Sequence, residues 1–328
     1  MNDSSSTLIA TPTISLVIPA YNSQRTIRFC LDSIMQLDYP KDRLEVIIVD
    51  NNSKDETPDI VKQYPAKLLF ERVKQGPHQA TNTGLRVATG QIIAFTDSDC
   101  YVQPDWLRKL VAPFADPNVV ATGGKIGAYT PDSRAEKFLQ QRFSGANCLR
   151  LADGFPASVL TANAAYRADA IRAVGFFNEN LYTGAEVDLA WRVQWQTGQT
   201  VVYVPDAIVL HKFSSGLERL FRHFRIYGYS EILLGTMYKH LPGYPRTPGK
   251  QLRFMLRQVR SLFTYVLAIA SHTLKGLFTK RGEDYTDYVL APVLWLLAES
   301  GSLQGKLLGL WHTRFYTKQF WQDGLRVI

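Results

Sequence analysis

Strands and helices alternate in the first part of the chain, and this order constrains the fold more than any other feature. Apolar runs at 14–18, 44–49, 67–70 and 92–95 have the length and composition of buried strands. Segments with helical spacing lie between them, and Ser53 with Glu56 predicts a capping box for the second helix. Because parallel neighbours need helical crossovers, the order predicts an α/β fold with a mostly parallel sheet covered by helices.

Polar residues stand where the first, second and fourth predicted strands end. Tyr21 and Asn22 follow the first strand, Asp50 ends the second, and Asp97 and Asp99 follow the fourth. In parallel α/β sheets, ligands bind beyond the carboxyl ends of the strands. We therefore expect these side chains to border one ligand site.

Asp97 and Asp99 form a D-x-D motif directly after a strand-like apolar run. Carboxylates are hard oxygen donors that suit Mg²⁺ or Mn²⁺, and such ions often share their remaining coordination positions with substrate phosphates. Asp is also frequent in turns, so a solvated loop is the alternative. The position after three strand–helix units favours the metal site.

The positive charge of the chain is concentrated in its last third. Residues 1–211 carry 20 Lys and Arg against 22 Asp and Glu, whereas residues 212–328 carry 17 against 7. Helices predicted at 217–234 and 251–277 combine arginines with apolar and aromatic residues, which favours the surface of an anionic membrane. Their apolar runs are shorter than the ~20 residues needed to span a bilayer. Packing on the rest of the chain, or a dimer interface, stays open as the alternative.

Other features of composition narrow the class of protein. Residues 1–13 lack the basic and apolar regions of a signal peptide, so we expect a flexible leader. Cys30, Cys100 and Cys148 are odd in number and widely spaced, which indicates neither a disulfide framework nor a zinc site, and a reducing compartment is the default. No nucleic-acid recognition motif accompanies the positive charge.

Several motifs in order resemble the inverting glycosyltransferases of family 2, which have the GT-A fold. The resemblance covers roughly residues 13–215. It implies a Rossmann-like GT-A catalytic domain at 14–215, followed by a helical C-terminal region at 216–328. The matching segments are SLVIPAYN (15–22), EVIIVDNNSKDET (45–57), TNTGLRVATG (81–90), FTDSDC (95–100), TANAAYRADAIRAVGFFNENLYTGAEVDLAWR (161–192) and VVYVPDAIVLH (201–211).

The resemblance implies a nucleotide-sugar donor, with UDP favoured, and a site for its nucleotide. Pro19 and Tyr21 match positions that bracket the base, and Asp50 matches one that hydrogen-bonds to it. Asp97 would contact the ribose. Asn82 would contact the nucleotide or act as a structural cap, and both interpretations remain open.

The resemblance also implies a divalent metal, Mn²⁺ or Mg²⁺. Asp99 would bind the ion that bridges both phosphates, with Asp97 as a further candidate ligand. His211 matches a position that supplies a third ligand or a phosphate contact, and neutral imidazole can complete a carboxylate site. Displacing a nucleoside diphosphate requires neutralising the charge that grows on the leaving phosphate, which such an ion does.

Transfer to a hydroxyl with inversion needs a general base. Family members typically have Glu-Asp here, and this chain has Ala185-Glu186, which makes Glu186 the candidate. A carboxylate at a helix start is also favoured by the helix dipole alone. Asp188 has Arg192 at i+4, which predicts a structural salt bridge.

Two further residues are candidates on the acceptor or donor-sugar side. Asn163 matches a family position that faces the donor sugar or the acceptor. Trp191 could line an acceptor site, although an apolar helix face is the commoner explanation.

The sequence thus predicts a metal-dependent transferase at the cytoplasmic face of a membrane. The acceptor is expected to be a saccharide or lipid-linked hydroxyl, in glycan or cell-envelope polysaccharide synthesis, and a homo-oligomer is possible. Transfer to a polyprenyl phosphate, which needs no base, is one alternative. A non-catalytic nucleotide-sugar-binding scaffold is another, because an acidic residue is replaced by Ala185.

Overall fold

The computed structural model describes residues 11–130, 133–143, 145–146, 149–150, 155–181, 183–212, 216–241, 244, 248–276 and 283–315. Most of the predicted leader, residues 1–10, lies outside these ranges, as does Cys148.

The strands lie before residue 212 and the longest helices follow it. The strands are β1 (Ile14–Ala20), β2 (Leu44–Asp50), β3 (Lys67–Phe70), β4 (Ile92–Thr96), β5 (Cys100–Val102), β6 (Val119–Ala128), β7 (Gly145–Ala146), β8 (Leu149–Arg150), β9 (Ala157–Ser158), β10 (Asn163–Arg167) and β11 (Thr200–His211). The helices are α1 (Ile27–Met35), α2 (Thr57–Val61), α3 (Pro77–Leu85), α4 (Trp106–Val111), α5 (Arg134–Phe143), α6 (Ala168–Ala173), α7 (Ala185–Thr197), α8 (Leu217–Tyr238), α9 (Pro248–Gly276) and α10 (Glu283–Phe315).

Within the described residues the main sheet has the order β3-β2-β1-β4-β10-β6-β11-β5, with β7 paired to β6. The pairs among β1 to β4 are parallel, as the alternation predicted. The second half is mixed, because β10 runs antiparallel to both β4 and β6, and β11 is parallel to β6 but antiparallel to β5. The α/β architecture is confirmed, and every antiparallel pair within the described residues includes a strand that follows Asp97.

Helices cover both faces of the sheet at β1, which explains why this strand is buried along most of its length. Leu16 and Ile18 of β1 pack in the cluster that includes α1, whereas Val17 packs on the opposite face with residues of α3 and α7. Strands buried on both faces read as continuous apolar runs.

The predicted strands and the first helix agree closely with the structure, but the predicted capping box is wrong. Helix α2 begins at Thr57, and the side chain of Glu56 makes no cap hydrogen bond. Ser53 lies in the preceding loop, where its backbone N–H donates to the carboxylate of Asp50. Asp55 takes the capping contact instead, since it accepts hydrogen bonds from the backbone N–H and hydroxyl of Thr57.

The C-terminal helices pack on one another through glycines. A Cβ atom placed on Gly305 of α10 would lie 1.8 Å from the carbonyl oxygen of Arg225 of α8. One placed on Gly228 of α8 would lie 2.1 Å from the carbonyl oxygen of Ser302. The backbones of α8 and α10 are therefore in direct contact, at a distance that excludes side chains at these positions.

Helix α8 also packs into the sheet domain, so its prediction as a membrane-surface helix is not supported. Tyr229, Leu233 and Leu234 are buried in the same cluster as Ala185 and Leu189 of α7. Its alternative, packing on the rest of the chain, describes the structure. Among the helices in the described ranges, none combines the length and apolar character that crossing a bilayer requires.

Candidate active site

A cleft of about 640 Å³ lies at the carboxyl ends of the parallel strands. Pro19 and Tyr21 border it at the end of β1, Asn51 at the end of β2, and Asp97 and Asp99 beyond β4. Tyr21 is 54% exposed and so presents an open ring face to the cleft. The structure thus brings the residues predicted for the donor site to one edge of the sheet.

The loops after β1 and β2 are joined by hydrogen bonds that fix the shape of this edge. The backbone N–H of Asn22 donates to Oγ of Ser53 at 2.9 Å, and the N–H of Lys54 donates to Oδ1 of Asn22 at 2.8 Å. Asn22 and Asn52 have φ angles of 48° and 61°. Asn tolerates this left-handed region better than most residues, which explains its use in both loops.

The two carboxylate oxygens of Asp50 have different surroundings. Its Oδ2 accepts the backbone N–H of Ser53 at 3.1 Å. Its Oδ1 is buried and accepts no hydrogen bond from the residues that the structure describes. An orphaned buried acceptor is costly, so Oδ1 is a candidate acceptor for a ligand N–H.

Asp97, Asp99 and His211 meet at a cluster that could hold a divalent ion. Nε2 of His211 lies 3.3 Å from Oδ1 of Asp99 and 4.0 Å from Oδ2 of Asp97. Antiparallel pairing of β11 with β5 sets His211 opposite Cys100, which brings the imidazole beside Asp99. Oδ1 of Asp99 is buried and accepts no hydrogen bond within the described part of the chain, which fits an atom that coordinates a metal.

The environment of the cluster opposes a second negative charge. Burial and the neighbouring charge of Asp99 raise the pKa of Asp97 to about 7, although His211 acts in the opposite direction. Cys100 is near the same atoms, but burial raises the pKa of its thiol well above the usual value. The thiol is therefore neutral, and a divalent ion would be held by the carboxylates and the imidazole.

Glu186 lies in the first turn of α7, whose N-cap Gly184 adopts a left-handed φ of 81°. Its Oε2 atom is 3.6 Å from Nε2 of His78, in the first turn of α3. The ring of His78 is buried and stacks on Phe177, with centroids 5.3 Å apart. Burial lowers the pKa of His78, and the charges of Glu186 and Asp188 oppose this only in part.

Helix α8 carries two titratable side chains that are influenced by charges of the site. Burial raises the pKa of Tyr227, and the charges of Glu186 and Asp97 add to the rise. The ring of His223, one turn earlier, lies 4.2 Å from that of Tyr227. Burial, with the charge of His211 as a second cause, lowers the pKa of His223 to about 4. Charges of the carboxylate and imidazole cluster and of Glu186 therefore act on two side chains of α8.

Asn82, Asn163 and Trp191 were predicted to contact a ligand, but the structure shows them in contacts within the protein. The side-chain amide of Asn82 is used by the backbone of Phe177 and by Oε1 of Glu179, so the prediction of a nucleotide contact is replaced by its alternative, a structural one. Asn163 is fully buried, accepts the indole N–H of Trp106 and donates to two backbone carbonyls, so it does not face a sugar.

Trp191 is 1% exposed and therefore does not line an acceptor site. It packs in an aromatic cluster with Phe155 and Tyr244. The predicted salt bridge on the same helix is confirmed, since Nε of Arg192 donates to Oδ2 of Asp188 at 2.8 Å. A hydrogen bond from the hydroxyl of Tyr238 to the other oxygen of Asp188 ties α8 to α7.

Sequence reasoning missed His78, His223 and Tyr227. A signal for His78 existed, because it opens the helix after β3 and so lies at the carboxyl edge of the sheet. For Tyr227 and His223 the signal was their i, i+4 spacing on α8, which was interpreted as part of an amphipathic surface helix.

Comparison with known proteins points to one family. Residues 15–175 match the model of Glycosyl transferase family 2. The glycosyltransferase AglE of Haloferax volcanii is 29% identical over 229 residues, covering 66% of this chain and 72% of the relative. A pre-mycofactocin glycosyltransferase of Mycobacterium tuberculosis is 31% identical over 226 residues, covering 66% of this chain and 46% of that longer relative.

Two solved structures share the fold. The mannosyltransferase PcManGT of Pyrobaculum calidifontis, in complex with GDP-Man and Mn²⁺, superposes with a TM-score of 0.61 at 21% identity, covering 92% of this chain and 88% of that one. Staphylococcus aureus TarS 1-349, in complex with UDP-GlcNAc, gives a TM-score of 0.50 at 18% identity, covering 92% and 91%. At these identities the similarity concerns the fold alone.

Proposed function

The chain belongs to glycosyl transferase family 2, and from this premise we propose that it is a metal-dependent inverting glycosyltransferase. It moves a sugar from a nucleotide-sugar donor to a hydroxyl of a saccharide or lipid-linked acceptor, in glycan or cell-envelope polysaccharide synthesis. One observation carries the proposal: Asp97, Asp99 and His211 form a cluster that could hold a divalent ion, and its two aspartates line the cleft at the carboxyl ends of the parallel strands.

The donor half of the site combines a nucleotide edge with a metal cluster. Tyr21 offers a ring face to the base, and the orphaned Oδ1 of Asp50 accepts a base N–H. Uracil and guanine both carry such a group, so Asp50 by itself does not select between them, and UDP is favoured through the family resemblance. A Mn²⁺ or Mg²⁺ ion held by Asp97, Asp99 and His211 would offset the negative charge that grows on the leaving diphosphate.

Glu186 is the general base in this proposal. Its carboxylate takes the proton of the acceptor hydroxyl while the hydroxyl oxygen attacks the anomeric carbon from the face opposite the diphosphate. The bond from that carbon to the phosphate oxygen breaks, and its electron pair leaves with the diphosphate. Nε2 of His78, in the first turn of α3, lies 3.6 Å from Oε2 of this carboxylate.

The acceptor class decides whether a base is needed. A polyprenyl phosphate is already ionised, so transfer to it would proceed without Glu186. Glu186→Gln is expected to lower kcat at least a hundredfold if the acceptor is a hydroxyl. Glu218→Gln, which changes an exposed glutamate on α8, is the matched control. Near-normal turnover by Glu186→Gln would remove Glu186 from the mechanism and favour the phosphate acceptor.

The proposal places the enzyme at the cytoplasmic face of a membrane, bound peripherally. The positive charge of residues 212–328 and the apolar residues exposed on α9 support this location. Such attachment would bring the cleft close to a lipid-linked acceptor.

The test of the donor site is calorimetric titration with UDP, GDP and dTDP, each with and without Mn²⁺. Metal-dependent binding of one nucleotide, lost in Asp99→Ala, is the expected result. Asp42→Ala, an exposed aspartate before the start of β2 and so at the opposite edge of the sheet, is the control. Absence of binding for all three nucleotides by folded protein would contradict the transferase proposal and favour a scaffold. Binding of a nucleotide sugar without turnover would also favour the scaffold.

A further inference from the structure

Helix α9 presents three different surfaces around its circumference, and one of them packs against α10. Met255 and Gln258 are buried, and the side-chain amide of Gln258 donates to Glu299 and Ser302 of α10. The ring of Tyr265 stacks on that of Trp295 at 6.4 Å. Contacts on this surface fix which part of α9 faces outwards.

An apolar stripe runs along the outward surface of α9. Its members are spaced three or four residues apart, as one helical face requires. Their exposed fractions range from 38% to 70%, which is unusual for large apolar residues on a soluble surface. The stripe consists of Leu252, Leu256, Val259, Phe263, Val266 and Leu267.

A basic row flanks the stripe on the side away from α10. Arg253, Arg257 and Arg260 each follow a stripe residue directly, so they lie about 100° around the helix from it. All three are exposed. The sequence of α9 contains no Asp or Glu to balance them. The outward half of α9 is therefore apolar in its centre and positive on one flank.

We propose that α9 lies in the headgroup layer of an anionic membrane, with the apolar stripe towards the acyl chains and the basic row on the lipid phosphates. This inference rests on the proposed membrane attachment and assigns it to one surface. An amphipathic helix with this distribution binds membranes through buried apolar area and attraction to anionic lipid together.

Charge favours a lipid surface over a second copy of the chain. In an antiparallel two-fold contact through the stripe, the basic rows of the two copies would lie on the same side of the contact, and like charges would repel. Anionic headgroups supply the opposite charge instead. The packing of α9 on α10, and of α10 on α8, connects this surface to a helix that packs on α7, which carries Glu186.

The test is cosedimentation of the full chain with vesicles of phosphatidylcholine alone or with about one-third phosphatidylglycerol. We expect strong binding to the anionic vesicles at ~100 mM salt and weaker binding at ~500 mM, because salt screens the basic row. The variant Leu256→Ser/Phe263→Ser/Leu267→Ser is expected to bind at least tenfold more weakly at both salt concentrations.

The basic row gives a different signature. Arg253→Gln/Arg257→Gln/Arg260→Gln is expected to lose roughly a hundredfold in affinity for anionic vesicles at low salt, at about fivefold for each arginine. At high salt it should approach the wild type. Val73→Ser, at a residue 98% exposed on the sheet domain, is the control for loss of an exposed apolar side chain. Circular dichroism checks that each variant is folded.

Each result supports or overturns the assignment. Wild-type binding with unchanged binding by the stripe variant would refute the role of α9 and leave membrane attachment standing. No binding by the wild type would refute both, while the nucleotide titration tests the transferase separately. A wild-type dimer that becomes a monomer in the stripe variant, without lipid binding, would assign the stripe to a second copy.

Discussion

The contact between α8 and α10 predicts opposite effects for one substitution at two glycines of the C-terminal helices. Gly305→Ala places a Cβ atom 1.8 Å from a backbone carbonyl oxygen of α8, where ordinary contact begins near 3.4 Å. The two backbones would have to separate by about 1.6 Å, and no flexible side chain can give way instead. Gly249→Ala, in the first turn of α9, meets nothing within 4 Å.

The expected free-energy changes follow from these distances. Overpacking of this kind costs about 1–3 kcal/mol, and the upper end applies because the clash is with backbone. The better helix propensity of Ala offsets ~1 kcal/mol of this overpacking cost, so Gly305→Ala should lower the free energy of unfolding by about 2 kcal/mol. Gly249→Ala has the propensity gain without the clash and should stabilise by about 0.5 kcal/mol.

Thermal unfolding followed by circular dichroism measures the difference. At about 2–4 °C for each kcal/mol, we expect Tm to fall by ~4–8 °C in Gly305→Ala and to rise by ~1–2 °C in Gly249→Ala. Glycosyl transfer by Gly305→Ala should also decrease, since α8 packs on α7, which carries Glu186. Equal shifts of Tm in the two variants would refute the close approach of α8 and α10.

Three further predictions concern the site and its support. Mn²⁺ should bind the protein alone more tightly at pH 8 than at pH 6. Asp97, with a pKa of about 7, is mostly protonated at pH 6 and must lose that proton before it coordinates the ion. Calorimetry that gives the same affinity at both pH values would contradict this. His78→Phe keeps an aromatic ring but removes the imidazole beside Glu186. Glu186 then loses a polar group 3.6 Å from its carboxylate, so kcat should fall with the donor KM unchanged, whereas an unchanged kcat would give His78 a packing role only. Asn163→Leu leaves the buried indole N–H of Trp106 and two carbonyls without their partner. It should cost about 3 kcal/mol of stability in denaturant unfolding, and a loss under ~1 kcal/mol would show that the network matters little.

The parallel half of the sheet could be predicted from the sequence because its signals are local. The strand at 67–70 matches β3 residue for residue, and the strand beginning at Leu44 and the helix beginning at Ile27 start where the pattern placed them. The mixed half could not be ordered in this way. The position of β10 between β4 and β6 depends on pairings between segments far apart in sequence, for which periodicity carries no information.

The same distinction between local signals and tertiary packing applies to the site residues. Asp97, Asp99 and Asp50 end strands, so topology alone brings them to one edge. Motif resemblance located Asn82 and Asn163, but it could not show that their amides are used by neighbouring backbone groups. Whether a side chain points into a cleft or into the core is decided by tertiary packing.

Helix α8 has a consequence for the order in which the enzyme is made. The D-x-D strand ends at Thr96, and Tyr227 follows 131 residues later. At a ribosomal rate of about 5–20 residues per second, that interval lasts ~7–26 s. The nascent chain therefore exposes the carboxyl edge of its parallel strands before α8, which packs on the helix of Glu186, has been made. The packed arrangement of α7 and α8 forms only after that interval, so synthesis of α8 sets the earliest moment at which the complete site can exist.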